Sequence, residues 1–287
     1  MSAEVLLASD LDRTLLPNGE QPESPRARPL LRAFAARPEV TLAYVSGRHA
    51  ALIRQALAEY EVPEPDYAIG DVGTTIYAVS AGRWSPWPAW DEAIAPDWRG
   101  LDRAALAALF EDLAVLRLQE PEKQNTHKLS YYAPAGGDHA GLVAEMTRRL
   151  EARGVRASVV WSIDETRGQG LIDVLPASAS KLHAIRFLTE RRGFNPERTV
   201  FAGDSGNDLA VLTSEVQAVL VANATDEVRR AALDGARRNG TGPALYLARG
   251  GFMGMNGNYA AGVLEGLAHF VRETAGWLQA AEVAGPG

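Results

Sequence analysis

One rhythm constrains this chain more than any other feature. Short apolar runs end abruptly in polar, acidic or glycine residues, and each is followed by a stretch of helical character. Val5–Ser9 stops at Asp10, and Val40–Val45 ends in Ser46-Gly47-Arg48. A helix is predicted over 48–60, stopped by Pro63 and Pro65. The rhythm returns with a strand over 171–175, a helix over 178–192 capped by Ser178, strands over 199–202 and 218–221, and a helix over 207–212. Runs that are apolar throughout suit strands buried on both faces, and strand alternating with helix predicts an α/β fold with a central parallel sheet.

The middle of the chain has another texture. Residues 80–98 are rich in Trp and Pro and read as a turn-heavy crossover. An amphipathic helix over 101–113, a strand over 127–132, a helix over 139–153 and a strand over 155–161 follow. This reads as an inserted α+β cap over 81–167, with 1–80 and 168–287 forming a Rossmann-like core; the tail from Gln279 is expected to fray.

Composition narrows the function classes. The net charge is −7 with no Lys/Arg-rich run, which argues against nucleic acid and anionic membrane as partners. There are no cysteines, so thiolate metal sites and cysteine nucleophiles are excluded. The start MSAEVLLASD lacks a basic region and a long apolar stretch, and no run approaches a membrane span, so a soluble, cytoplasmic protein is expected.

The chemistry sits at strand ends. Asp10-Leu11-Asp12-Arg13-Thr14 puts two carboxylates one residue apart, one able to attack phosphorus and the other to protonate a leaving oxygen. Gly203-Asp204-Ser205-Gly206-Asn207-Asp208 combines tight turning with hard oxygen ligands suited to Mg²⁺. Between them, Ser46 offers a hydroxyl and Lys181 a single cation. Each piece alone reads equally well as an ordinary loop, cap or surface charge. Together, in this order at the carboxyl ends of parallel strands, they share one crevice.

That series of elements resembles the haloacid-dehalogenase-like (HAD) phosphatase superfamily. The resemblance implies a HAD core with a C2-like cap and makes Asp10 the nucleophile and Asp12 the general acid and base. It implies Ser46 and Lys181 as phosphoryl ligands, with Gly47, Arg48 and Asn207 near the substrate. Mg²⁺ would lie on Asp10, Asp204 and the backbone carbonyl of Asp12, with Asp208 and Asn207 orienting these groups and Thr14 tying the loop together. Arg13 departs from the glycine of many relatives.

A narrower resemblance, to sucrose-phosphate phosphatases, covers nearly the whole chain. It is carried by Asp71-Val72-Gly73-Thr74-Thr75-Ile76, by Leu118-Gln119, Gln124 and His127 to Tyr132, by Asp173-Val174-Leu175-Pro176, by Asn223-Ala224, and by Ala260 to Glu265 ahead of His269-Phe270. It implies a sugar phosphate as substrate and a sugar-phosphate synthase as a candidate partner. Gln124, on a loop, and His127 and Lys128 are candidate sugar contacts, the latter two reading otherwise as the polar face of a cap strand. Lys123, where relatives often carry an acid, Leu182-His183, where glycine is more usual, and the elaborated 250–258 stretch depart from the pattern. Trp84, Trp87 and Trp90 read as packing at a domain joint rather than as sugar-stacking residues. The alternatives are a phosphatase for another glycosyl or hexose phosphate, a phosphomannomutase-like transferase, and a non-catalytic docking module. A dinucleotide enzyme is disfavoured, because no Gly-x-Gly-x-x-Gly follows the first strand.

Overall fold

The computed structural model describes residues 4–164 and 167–284. β1 (Val5–Ser9), β2 (Val40–Val45) and β3 (Tyr67–Gly70) are followed by the hairpin β4 (Thr75–Ser80) and β5 (Arg83–Pro86). After a second group of strands come β10 (Thr199–Gly203), β11 (Gln217–Leu220) and β12 (Leu245–Leu247). These eight form one sheet in the order β12-β11-β10-β1-β2-β3-β4-β5, parallel from β12 through β3 and antiparallel beyond.

Successive residues of the central strands bury on opposite faces. Val5, Leu7, Leu42, Tyr44, Val200 and Ala202 pack against α1 (Ala27–Ala35), α2 (Ala50–Tyr60), α9 (Ala260–Phe270) and α10 (Glu273–Ala284). Leu6, Ala8, Ala43, Val45 and Phe201 pack against α3 (Pro88–Ile94), α6 (Lys181–Arg192), α7 (Leu209–Leu212) and α8 (Asp226–Asn239). Neither face of the sheet's centre is left to water, which is why β1, β2 and β10 read as unbroken apolar runs.

The cap is a second, antiparallel sheet. β6 (Arg117–Leu118), β7 (Leu129–Pro134), β8 (Ala157–Asp164) and β9 (Gln169–Pro176) pair in the order β6-β7-β9-β8. α4 (Arg103–Ala107) and α5 (His139–Ala152) cover one face of it, where Leu106, Met146 and Leu150 meet Leu129, Tyr131, Ile172 and Val174.

Several expectations are corrected. The 171–175 run does not join the parallel sheet: it is the centre of β9, antiparallel to both β7 and β8. An apolar run carries no record of its partner's direction. With β5 in the large sheet and β9 in the small one, sheet membership changes after Pro86 and after Pro176, not at 80 and 167. The cap of α6 is Ser180, whose Oγ accepts from the His183 N–H, and not Ser178. α2 ends at Tyr60, and Glu61 just after it takes a left-handed conformation before either proline is reached. α10 runs to Ala284, so the chain from Gln279 to there is helical, and 285–287 lie outside the described residues.

The two crossings between core and cap are cross-linked. Buried Asp97 accepts from the Ser178 N–H (2.7 Å) and Oγ–H (2.6 Å) and lies 3.2 Å from Arg156. Removing its carboxylate leaves donors at the joint unpaired. Asp97→Ala is therefore expected to lower the unfolding free energy by about 1–3 kcal/mol. Urea denaturation checks this, and an unchanged midpoint would contradict the role.

Candidate active site

Parallel pairing sets the site. β1 lies between β10 and β2, with Ser9 beside Ala202 and Tyr44. The Asp10 N–H continues the ladder onto the Ala202 carbonyl at 2.9 Å. The loops after β1, β2 and β10 therefore open at one edge. They line a cleft of about 250 Å³ with Asp10, Asp12, Arg13, Ser46, Gly47, Arg48, Asp204, Ser205 and Asn207.

At its base lies a buried charge cluster. Lys181, the first residue of α6, donates from Nζ to Asp10 Oδ1 (2.9 Å), Asp208 Oδ1 (2.7 Å) and Asn207 Oδ1 (3.2 Å). Burial alone lowers the lysine's pKa, but the Asp10 and Asp208 charges outweigh it, and the ammonium is held above its ordinary value. Burial raises Asp10 to about 7, against the lowering effect of Lys181. Burial, then the Asp208 charge, raises Asp204 to about 6, although Arg13 Nε lies 3.5 Å from Oδ2 and Thr14 donates to Oδ1 at 3.2 Å.

Carboxylate oxygens of Asp10, Asp204 and Asp208 lie within 4.8 Å of one another, a grouping that fits a hard divalent cation. Their chemistry supports the fit. Burial first, and neighbouring carboxylates after it, push Asp10 and Asp204 toward protonation, a tendency that a bound cation would oppose. Asp208 is the member least free to ligate: one oxygen is taken by Lys181, and the other accepts from the backbone N–H groups of Asp204 and Ser205 and from Ser205 Oγ, each at 3.2 Å.

Asp12 stands apart from the cluster. Its carboxylate is gripped by Arg48 through Nε (2.8 Å) and Nη2 (2.5 Å) and accepts from Asn18 Nδ2 at 2.7 Å. Arg48, expected beside the substrate, thus holds Asp12 in this state. Ser46 is buried, and its Oγ accepts the Arg48 N–H at 3.2 Å. Arg13 has φ 57°, a left-handed backbone that explains why glycine suits the position. Its loop is held by Asn18 Oδ1 on the N–H (2.8 Å) and Asn223 Nδ2 on the carbonyl (2.7 Å).

The expected sugar contacts divide. Lys128 Nζ lies 4.0 Å from Asp71 in the core and 3.9 Å from Asp173 in the cap, bridging the two units. His127 Nδ1 is buried without a hydrogen bond, 3.7 Å from Asp91, and burial lowers its pKa. Gln124 is not in the cleft. Its amide is spent on the backbone of its own unit, donating to the Gln119 and Ser130 carbonyls and accepting the Ser130 N–H. Trp84 packs against Tyr77 and under Arg54, while Trp87 and Trp90 pack on Phe187 of α6, so all three serve the core.

Sequence reasoning assigned no site role to Asn18, Asp71, Asn125 or Asp173. Asp173 had a usable signal, because it breaks the apolar run of β9 and alternates with buried Ile172 and Val174, marking the opposite face as polar. The others are single polar residues in loops.

The sheet order, the inserted cap and the Asp-rich cleft define a HAD-like hydrolase. The family profile described as sucrose-6F-phosphate phosphohydrolase matches residues 3–271. The chain belongs to this family of HAD-type sugar-phosphate phosphatases. It is 58% identical over 279 residues to a HAD-like hydrolase of Nitrosococcus oceani, covering 97% of this chain and 75% of that one. It is 28% identical over 269 residues to a mannosylfructose-phosphate phosphatase of Agrobacterium fabrum, covering 92% and 96%. Among solved structures, the sucrose-phosphatase of Synechocystis sp., determined with sucrose and phosphate, superposes with a TM-score of 0.70 at 27% identity, covering 93% and 98%.

Because Lys181 is the one side-chain cation bonded to both buried carboxylates among the described residues, its loss leaves them uncompensated. Lys181→Met is expected to cost about 3–5 kcal/mol in metal-free buffer, measured by chemical denaturation. A wild-type unfolding curve would contradict this account of the cluster.

Proposed function

We propose that this protein hydrolyses a disaccharide phosphate, with sucrose 6-phosphate as the leading candidate, through an aspartyl-phosphate on Asp10. The observation that carries the reading is Lys181 bound at once to Asp10 and Asp208 at the base of a cleft that Ser46 also lines. A nucleophilic carboxylate, a neutralising cation and a hydroxyl for phosphoryl oxygens are the parts phosphoryl transfer requires.

In the first step an Asp10 oxygen attacks phosphorus in line with the ester oxygen, which leaves with a proton from Asp12. In the second, Asp12 takes a proton from water, and the water attacks the aspartyl-phosphate, freeing phosphate and restoring Asp10. Arg48 and Asn18 occupy both oxygens of the Asp12 carboxylate in this state, so Asp12 serves the leaving group as Arg48 yields its grip. Lys181 compensates charge on Asp10 and on the phosphoryl oxygens, and Asp208, anchored by the Asp204–Ser205 backbone, keeps Lys181 in place. Asp10, Asp204 and the backbone carbonyl of Asp12 would hold Mg²⁺, which when bound supplies charge neutralisation for phosphoryl transfer. Lys128, between Asp71 and Asp173 where core meets cap, is the cap residue we assign to a sugar hydroxyl.

Three measurements test the reading. Asp10→Asn is expected to abolish phosphate release while leaving the unfolding midpoint in place; near-normal turnover in that variant would sink the mechanism. Mg²⁺ should raise the thermal midpoint of the wild type, by about 2.7 kcal/mol of stability at a hundred times its Kd. Asp204→Asn should remove most of that gain, and an equal gain in both proteins would exclude Asp204 as a ligand. Across sucrose 6-phosphate, mannosylfructose phosphate, glucose 6-phosphate and fructose 6-phosphate, the first is expected to lead in kcat/KM by about a hundredfold, roughly 2.7 kcal/mol of discrimination. Activity spread evenly over the panel would reject sucrose phosphate as the substrate.

A further inference from the structure

Where β3 turns into β4, three consecutive residues adopt left-handed backbone: Asp71 (φ 53°), Val72 (φ 60°) and Gly73 (φ 93°). A β-branched residue in that region is strained, and such a turn persists only where its surroundings over-determine it.

The surroundings are visible on three sides. The Asp71 N–H donates to the Arg48 carbonyl at 2.9 Å, which ties the turn to the loop after β2. Trp90 Nε1–H donates to the Gly73 carbonyl at 3.1 Å. From the cap, Asn125 Nδ2 donates to Thr74 Oγ1 at 2.8 Å, and Lys128 lies 4.0 Å from Asp71.

The fourth side is the start of α6. A Cβ placed on Gly73 would lie 2.8 Å from the carbonyl carbon of Ser180 and 3.1 Å from the amide nitrogen of Lys181. Only hydrogen fits between the turn and the residue whose ammonium bridges Asp10 and Asp208. Both near atoms are backbone, so neither can swing aside as the end of a side chain would.

We propose that the Asp71–Gly73 turn is a positioning element for Lys181. Its backbone at Gly73 is the stop on which the first turn of α6 rests, and this contact sets where Lys181 Nζ lies between the two carboxylates. The inference deepens the proposed function and rests on its reading of Lys181. The strain at Val72 has a purpose on this account, because an ordinary turn would carry the chain away from α6.

The test compares turn variants with Lys181→Ala in the phosphate-release assay. Gly73→Ala should lower kcat by about 10–100-fold, the scale expected when a reacting group is misplaced by up to an ångström. KM should change far less than kcat, and the circular dichroism spectrum should match the wild type. Gly73→Asn should fall as far, because asparagine accepts left-handed backbone yet carries the same Cβ. Full activity in Gly73→Ala, or recovery in Gly73→Asn, would overturn the proposal, the latter by assigning the effect to backbone strain alone. Should Gly73→Ala fail to fold, Trp90→Phe decides: removing the bond that holds the Gly73 carbonyl should lower kcat severalfold, and wild-type kcat there would overturn the proposal. Activity in Lys181→Ala would instead reject the underlying reading of the lysine, so the two failures are distinguishable.

Discussion

The site depends on one buried ammonium. Lys181 and its two carboxylates are almost sealed from water, a costly arrangement for any charge that lacks a partner. Three separate stretches of chain must therefore meet to within hydrogen-bonding distance: the end of β1, the turn after β10 and the start of α6. Two of these are fixed by the parallel pairing of β1 with β10. The third is not a product of the sheet at all. α6 begins where the chain returns from the cap, directly after β9 and the Asp97–Ser178 cross-link. The cation that neutralises the core's carboxylates is thus delivered by the segment that joins core to cap.

This arrangement explains which parts of the molecule were legible in its sequence. β1, β2, β10 and β11 are buried on both faces, so each leaves an unbroken apolar run, and the polar residues that line the cleft follow β1, β2 and β10 immediately. Asp10, Asp12, Asp204 and Asp208 could be placed because burial of the strand and polarity of the loop meet at one residue. β9 leaves much the same kind of run while belonging to the other sheet. Hydrophobicity reports that a strand is covered, not the direction of its neighbours, and only Asp173 between Ile172 and Val174 marked one face as polar. Ser178 and Ser180 both lie close before α6. Ser180 caps the helix, while the Ser178 hydroxyl is bonded to Asp97, which is far away in sequence. Asp71 and Asn125 act through contacts that tertiary structure alone creates, and Asn18 through bonds within its own irregular loop, so no periodicity announces them.

Electrostatics gives the same cluster its second constraint. The chain is acidic overall, yet its cleft brings Arg13 to Asp204 and Arg48 to Asp12, and Lys181 lies beneath both. Each cation is assigned to a carboxylate rather than left free for an incoming anion. A phosphate monoester entering this cleft meets groups already paired, so its charge has to be accommodated by exchanging partners. Arg48 illustrates the exchange: while it grips Asp12 through two nitrogens, neither of those N–H groups is free for a phosphoryl oxygen. On the proposed roles, Asp12 can turn toward a leaving group only as that grip is redistributed, whereas Lys181 is anchored on Asp208 as well as Asp10. The cation shared by two carboxylates heads a helix, and the one that grips Asp12 belongs to a loop. That division matches what the proposed mechanism asks, since its nucleophile is to be held still and its proton donor is to turn.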